Sequence, residues 1–237
     1  MAQPAQIPPL RRSTLGVDVY ETLTALVMEH SLAPGARINI EALARDLQVS
    51  PTPVREALAR LESDGLVTKQ PLIGYTVSPL LTRDEFMAMF DLRVVLEGQA
   101  ARWAAERADA EARTRIVAEA EATAAPNEGN ADGWFAHASF TKLDAQFHDR
   151  IANASGNSFL RDCIDRLHSH LHIHRLFFPY GQTGSTGKEH KRIAMAIRKG
   201  NPAAAQEAMV EHLERARRRH LPVFDEATAA AIAALDA

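Results

Sequence analysis

The sequence predicts a mainly α-helical protein, in which an N-terminal winged helix-turn-helix precedes an all-helical bundle of about six helices. The first observation is that residues 40–77 contain two short helical patterns and then two alternating segments around a turn. The second is that no convincing strand pattern follows Thr82, where alanine-rich and charged helical stretches continue almost to the end. Two domains are therefore expected, over residues 14–79 and 82–233, after a flexible tail at residues 1–13.

The N-terminal domain is expected to begin with two helices. Apolar side chains recur at helical spacing over residues 15–28, and a Pro-Gly turn follows at residues 33–35. A second, short helical pattern begins at Ile40. After it, Thr52 offers an N-cap and Pro53 suits the first helical position, so a third helix is expected from about Pro53.

The third helix has the pattern of a helix that reads DNA. Its apolar residues pack inward and leave polar side chains on its N-terminal and outer surfaces, so the helix can enter a major groove. Gly65 ends it, residues 66–70 and 75–78 alternate as short strands, and residues 71–74 form the turn of a wing. The candidate DNA contacts on these elements are Arg37, Arg45, Ser50, Thr52, Arg55, Arg60, Lys69 and Gly74.

The charge balance does not by itself indicate nucleic-acid binding. The net charge is -3, and residues 1–80 carry seven Lys or Arg against eight Asp or Glu. A few cations on one face are nevertheless sufficient for phosphate contacts, and a symmetric dimer doubles them. For each cation named above, the alternative is an ordinary solvated charge.

Composition limits the class of protein. A hydrophobic fraction of 46% and a charged fraction of 24% are ordinary for a globular protein. No apolar run approaches the roughly 20 residues needed to span a bilayer, and residues 1–10 lack the features of a signal peptide. A cytoplasmic location without membrane contact is therefore expected. The single cysteine, Cys163, excludes an internal disulfide and is expected to be a small buried side chain.

The second domain is expected to open with a long, capped helix. Thr82 is followed three residues later by Glu85, which is the spacing of a capping box, and the helical pattern continues to about Arg107. Pro222 predicts a kink or an end near His220 in the last stretch. The remaining helical stretches are expected at residues 109–124, 132–154, 157–177, 187–199 and 201–233.

Histidine and aspartate positions suggest a metal site in the helical domain. Nine of the ten histidines lie after residue 130, and Asp144 and His148 are four positions apart on one predicted helix, so they share a face. His190 and His212 come from two later helices. Three imidazoles and one carboxylate suit a divalent ion, zinc first and nickel or manganese next. Spacing alone also allows a helical surface pair and two unrelated histidines.

Two further groups of side chains receive structural interpretations. Histidines at positions 168, 170, 172 and 174 step by two along a predicted helix, so they cannot all face one ion. We expect them to line a polar pocket or the surface, with His168 and His172 on one face and His170 and His174 on another. Four aromatic side chains are expected to pack in a core or a pocket wall: Trp103, Trp134, Phe147 and Phe159.

The run from Leu43 to Val67 resembles the DNA-binding domain of GntR-family bacterial transcription regulators. The resemblance covers residues 15–79, and its most specific part is Ser50-Pro51-Thr52-Pro53-Val54-Arg55-Glu56-Ala57-Leu58. It implies that Arg55 contacts DNA. Many members carry a base-reading arginine where this chain has Pro51, so the resemblance does not imply the base preference at that position.

The second region resembles FCD, the helical effector-binding domain of the FadR-like branch of that family. The matching pieces occur in the family's order at residues 92–97, 143–148, 154–157, 189–193 and 209–213. The resemblance implies that Asp144, His148, His190 and His212 hold a metal ion. It also implies that Arg93 clamps a carboxylate, and we expect Arg175 to be a second candidate for this clamp.

The leading hypothesis is therefore a metal-containing transcription regulator, with repression as its expected mode. It is expected to bind an inverted-repeat operator in double-stranded DNA as a homodimer and to respond to a small organic or sugar acid. A metal-dependent enzyme that uses the same Asp and His residues is the first alternative. A winged domain that contacts only protein is the second.

Overall fold

Helices make up most of the protein, and the strands found in the described residues form the wing. The computed structural model describes residues 14–124, 133–176 and 183–225, and the chain divides into two compact units at residues 1–79 and 80–237. The predicted fold class, a winged helix-turn-helix followed by an all-helical bundle, is confirmed. The predicted tail at residues 1–13 lies outside the described residues.

The first unit contains three helices and a two-stranded wing. Strand β1 pairs with β2 antiparallel, from Val67 opposite Val77 to Gln70 opposite Gly74, and the segment around Arg37 adds a bridge to Thr76. Apolar residues from all these elements form the core, including Leu23, Leu58 and Leu61. The elements are α1 (Thr14–Met28), α2 (Ile40–Asp46), α3 (Pro51–Ser63), β1 (Val67–Gln70) and β2 (Gly74–Val77).

Helix α3 begins two residues earlier than expected, so the predicted start at Pro53 is wrong. Ser50 is the extended N-cap residue and Pro51 takes the first helical position. Proline suits that position because its fixed φ is helical and its missing amide hydrogen would have no partner there. Pro53 is tolerated in the first turn since the residue four positions before it, Val49, precedes the helix.

The second unit is a bundle whose main core lies among α4, α5, α6, α9 and α10. Thr82 and Glu85 form the predicted capping box at the start of α4. The last helix ends at His220, and a 3-10 helix with Pro222 in its first turn follows at Leu221–Phe224. The helices are α4 (Arg83–Arg107), α5 (Ala110–Ala124), α6 (Gly133–Ala154), α7 (Ser158–Asp165), α8 (Ser169–Arg175), α9 (Thr183–Arg198) and α10 (Pro202–His220).

The stretch expected as one helix at residues 157–177 is two helices in the structure. His168 has a left-handed backbone, with φ of 44°. This conformation interrupts the helix, so that α7 ends before His168 and α8 begins after it. In α7 the side chains of Leu160 and Ile164 pack toward the core. The neighbouring faces of this short helix face solvent, and they carry Phe159 and Cys163. The expectation that these two side chains are buried is therefore wrong.

Helix α9 was expected to start at residue 187, but it begins at Thr183. Gly187 therefore lies inside the helix. A Cβ atom at Gly187 would approach the Cα atom of Ala124 on α5 to 2.5 Å, so only glycine allows this close contact between the two helices. The other predicted core aromatics differ in outcome: Phe147 is fully buried, Trp103 is partly exposed, and the side chain of Trp134 lies outside the described residues.

A second apolar cluster lies at the start of α4. The rings of Phe86 and Phe90 are 4.7 Å apart between centroids, and Leu176 and Ala216 are buried with them. Leu80 and Leu81, which immediately precede the helix, are among the partly buried residues that pack against this cluster. The cluster therefore connects α8 and α10 with the point where the chain enters the bundle.

None of the helices in the described ranges combines the length and the apolar character that a bilayer crossing requires.

We expect a substitution at Leu58 to destabilise the winged unit. Leu58 is fully buried, whereas Leu72 at the wing tip is fully exposed. Leu58→Ala should lower the free energy of unfolding by about 2–5 kcal/mol because it leaves a cavity. Leu72→Ala, the control, should change it by less than about 0.5 kcal/mol. Urea titration followed by circular dichroism measures both, and equal losses would contradict the core described above.

Candidate functional site

Three buried histidines from three helices meet inside the bundle. One ring nitrogen each from His148 on α6, His190 on α9 and His212 on α10 lies within 4.8 Å of the other two. The Nε2 atoms of His148 and His212 are 3.3 Å apart. Asp144 precedes His148 by one helical turn, and its Oδ1 atom is 3.3 Å from His190 Nε2. The structure thus brings together all four residues of the predicted metal site.

Each imidazole is held by a hydrogen bond at its other nitrogen, Nδ1. His148 Nδ1 donates to Glu97 on α4 at 2.5 Å, and His212 Nδ1 donates to Glu189 at 2.8 Å. His190 Nδ1 lies 3.0 Å from the hydroxyl of Thr123 on α5, whose own hydrogen is donated to the carbonyl of Ala120. Because ionised carboxylates and an already donating hydroxyl can only accept, all three Nδ1 atoms carry the hydrogen.

This arrangement turns the three Nε2 atoms toward one another. Those of His148 and His212 are 3.3 Å apart, and His190 Nε2 is buried and makes no hydrogen bond. A proton or a cation between these nitrogens relieves the close approach of their lone pairs. Imidazole nitrogens fixed through their opposite nitrogen, with one nearby carboxylate, are the donor set of a first-row divalent ion. The residues therefore fit a metal.

The two carboxylates that anchor the histidines are each paired with an arginine. Burial opposes ionisation of Glu97, but the Arg93 guanidinium, 2.6 Å away, and His148 outweigh it and hold the pKa of the carboxyl well below its usual range. Burial likewise opposes ionisation of Glu189, and its bonds to His212 and Arg219 lower the pKa to about 2. Each anchor is thus a neutralised ion pair.

Protonation of the central groups also suits metal binding. Burial lowers the pKa of His190 well below its ordinary value, and burial lowers that of His148 as well despite the attraction of Glu97. Burial works against ionisation of Asp144, but its hydrogen bond with His170 and the surrounding imidazoles hold its pKa well below the usual range. Neutral imidazoles and an ionised carboxylate are the forms that ligate metals.

His170 contacts a predicted ligand, a role that the sequence did not assign to it, and the anchors Glu97, Glu189 and Thr123 were likewise not predicted. Its Nδ1 atom lies 3.1 Å from Asp144 Oδ2, and its ring centroid is 5.1 Å from that of His148. His170 and His174 face α6 together, as the expected grouping had it, although the left-handed residue at His168 divides the expected helix. His174 is buried, with Nδ1 3.0 Å from the Thr141 hydroxyl.

The two arginines predicted to clamp an effector are both buried. Arg93 donates through Nε to Glu97, so part of its guanidinium holds the anchor of His148. Arg175 on α8 is fully buried, and burial lowers the pKa of its guanidinium. Neither side chain is therefore a surface charge. Their contact with an effector stays a prediction.

The candidate DNA contacts are all exposed in the first unit. Arg55 forms an exposed ion pair with Glu41 on α2 at 3.1 Å. The Arg60 guanidinium stacks 3.9 Å from the centroid of the Tyr20 ring on α1, which gives this side chain a packing contact as well. The Ser50 side chain makes no capping hydrogen bond. The remaining candidates at the start of α3 and on α2 are Thr52 and Arg45.

A surface groove beside the wing brings three of the candidates together. Arg37, Lys69 and Gly74 line it, with Glu62 at its edge. Gly74 has a φ of 93°, a conformation that glycine adopts without strain at this turn. Leu72, whose side chain is fully exposed, also lines this groove. Direct DNA contact by these residues stays a prediction.

Comparison with known proteins assigns a family to both units. Residues 15–77 match the model of bacterial regulatory proteins of the gntR family, and residues 88–215 match that of the FCD domain. The HTH-type transcriptional regulator YdhC of Bacillus subtilis (strain 168) is 28% identical over 199 residues, covering 83% of this chain and 86% of that protein. LutR of the same strain, also an HTH-type transcriptional regulator, is 29% identical over 215 residues, covering 79% and 93%.

Solved structures agree on the fold. E. coli McbR/YncC superposes with a TM-score of 0.66 at 20% identity, covering 90% of this chain and 100% of that one. These relatives and this fold are those of transcription regulators, so the alternative of a metal-dependent enzyme is wrong. The chain belongs to the GntR family of bacterial regulatory proteins, as a transcription regulator with a C-terminal FCD domain.

Proposed function

We propose that this regulator binds an inverted-repeat operator as a homodimer and is controlled by a small carboxylate at a metal site in its FCD domain. The convergence of three buried imidazole nitrogens beside Asp144 is the observation that carries the proposal. Proteins of the GntR family bind DNA and small-molecule effectors, typically as dimers. Action on bacterial DNA places the protein in the cytoplasm, and repression is its proposed mode.

The metal would be held by His148, His190 and His212 through Nε2 and by Asp144 through a carboxylate oxygen. Zinc is the first choice for this donor set, and nickel or manganese also match it. When bound, a divalent ion supplies a positive centre with coordination positions open to a ligand oxygen. The surrounding residues orient the imidazoles and bury them away from water.

The charges around the centre favour an anionic effector. Arg93 neutralises Glu97 and Arg219 neutralises Glu189, so Asp144 is the carboxylate that remains to offset the ion. One negative charge against two positive charges leaves a net positive site, which attracts a carboxylate. Organic acids and sugar acids are the chemical class that fits. Arg93 and Arg175 are the proposed clamps for a second pair of oxygen atoms.

The winged unit would read the operator through the start of α3. Arg55 is the proposed base or phosphate contact, and its exposed pair with Glu41 is worth only about 0–1 kcal/mol, so DNA can displace it at little cost. Ser50 and Thr52 add hydroxyls at the same end of the helix. Arg45, Arg60 and the groove beside the wing supply the proposed backbone contacts.

Metal content is the most direct check of the site. Protein prepared without a histidine tag or chelator should contain about one divalent ion per chain, and His212→Ala should weaken zinc affinity by at least about 10-fold. His30→Asn, in the other unit, is the control and should leave affinity unchanged. Mass spectrometry of metals and chelator competition measure both, and metal-free protein with wild-type folding would rule the site out.

Loss of Arg55 should weaken operator binding. Arg55→Ala is expected to cost about 1–3 kcal/mol in DNA affinity, measured by fluorescence anisotropy on the protein's own upstream region. Arg115→Ala is a matched control, because Arg115 is also an exposed arginine in a salt bridge but lies on α5. If the two variants bound DNA with equal affinity, α3 would not be the helix that reads the operator.

The effector should stabilise the protein only when metal is present. A carboxylate at about 100 times its Kd adds about 2.7 kcal/mol, which should raise Tm by roughly 5–10 °C. Thermal denaturation of metal-loaded and metal-free protein with mono- and dicarboxylates and sugar acids measures this. Amide analogues of each hit are the control. Equal shifts in the metal-free protein would show that the acid binds elsewhere.

A further inference from the structure

We propose that His170 is a positioning residue that orients Asp144 for metal binding. This inference rests on the proposed metal site and extends it to a residue outside the four ligands. Its basis is the different environment of the two carboxylate oxygens of Asp144. Oδ2 lies 3.1 Å from His170 Nδ1, whereas Oδ1 lies 3.3 Å from His190 Nε2 at the centre of the cluster.

The contact between His170 and Asp144 is sheltered from solvent. Their side chains are 18% and 20% exposed, so water competes with this hydrogen bond less than on an open surface. A donor at Oδ2 restrains the two side-chain torsions of Asp144 and turns the other oxygen toward the imidazoles. Carboxylates that ligate metals are commonly held by such a second hydrogen bond.

His170 completes a pattern in which every candidate ligand has one outer partner on another helix. Glu97 on α4 holds His148, Thr123 on α5 holds His190, and Glu189 on α9 holds His212. Asp144 has none of these partners, and α8 supplies His170 to it. Without this bond, Asp144 would be the ligand whose orientation is least fixed.

Helix α8 is itself held against α6 at two points one turn apart. His170 meets Asp144, and four residues later His174 meets the hydroxyl of Thr141 on the same helix, α6. The left-handed backbone of His168 sets the direction in which α8 leaves α7. His170 therefore approaches Asp144 from a fixed element, as a positioning group requires.

Zinc affinity of the full-length protein, measured by chelator competition, tests the inference. Asparagine places its amide nitrogen near the position of histidine Nδ1, whereas glutamine places it near Nε2. His170→Ala and His170→Gln should weaken zinc binding by about 10–100-fold, and His170→Asn should stay within about 3-fold of wild type. His172→Ala, on the same helix, is the matched control and should bind zinc like wild type.

Two further measurements separate positioning from a general structural role. The denaturation midpoint of the metal-free protein should be the same for the His170 variants and the His172 control. Absorption of the cobalt-substituted protein should change in His170→Ala, because detachment of Asp144 alters the ligand field, and it should be restored in His170→Asn.

Three results would overturn the inference. Equal zinc affinities of His170→Ala and His172→Ala would remove the role of His170 while leaving the metal site intact. An equal loss in His170→Asn and His170→Ala would show that a hydrogen-bond donor at this position is not what matters. If wild-type protein itself binds no zinc, nickel or manganese, the proposed metal site fails and the inference fails with it.

Discussion

Three imidazole nitrogens held toward one point inside a helical bundle are the constraint around which the second unit is built. His148, His190 and His212 come from α6, α9 and α10, and their anchors lie on α4, α5 and α9. Burying so many polar groups is costly unless they have partners. At the outer nitrogens of the three imidazoles the partners are two carboxylates and one hydroxyl, so the packing of five helices and the order of the site depend on each other.

The polar centre and the apolar cluster at the start of α4 share one element, α8. On one side α8 carries His170, which contacts Asp144. On another it carries Ile173 and leads to Leu176, which pack with Phe86 and Phe90. Leu80 and Leu81 pack against the same cluster, directly after the segment that connects the two units. Contacts of α8 with Asp144 and with the first residues of the bundle are thus joined by direct packing.

Part of this arrangement could be predicted from the sequence. The rest could not, because it depends on contacts between residues that are far apart in the chain. Helical spacing alone predicts that Asp144 and His148 share a face, and the capping box at Thr82 fixes the start of α4. Periodicity does not bring separate helices together, so His190 and His212 joined the site only through the family resemblance. The histidine anchors lie 51, 67 and 23 positions away from the residues they hold, beyond the reach of any local pattern.

Errors in the sequence interpretation occurred where one backbone torsion or one close contact decides the local structure. The left-handed residue at His168 divides a stretch whose composition is helical throughout. Gly187 was expected to be the first residue of a helix, but it lies inside α9, where its missing side chain allows the helix to approach Ala124 on α5. Hydrophobic periodicity predicts neither the helix break at His168 nor the close contact at Gly187. Both depend on which residues from the rest of the chain pack against these two positions.

The two prolines in the first turn of α3 separate the stability of the winged domain from its DNA preference. Pro51 and Pro53 have no amide hydrogen, so two of the N–H groups that a helix start normally leaves unpaired do not exist. The helix begins without a capping bond from Ser50. Substitutions at Ser50 and Thr52 are therefore inexpensive for folding, so this exposed end of α3 can change its side chains during evolution while the fold is conserved.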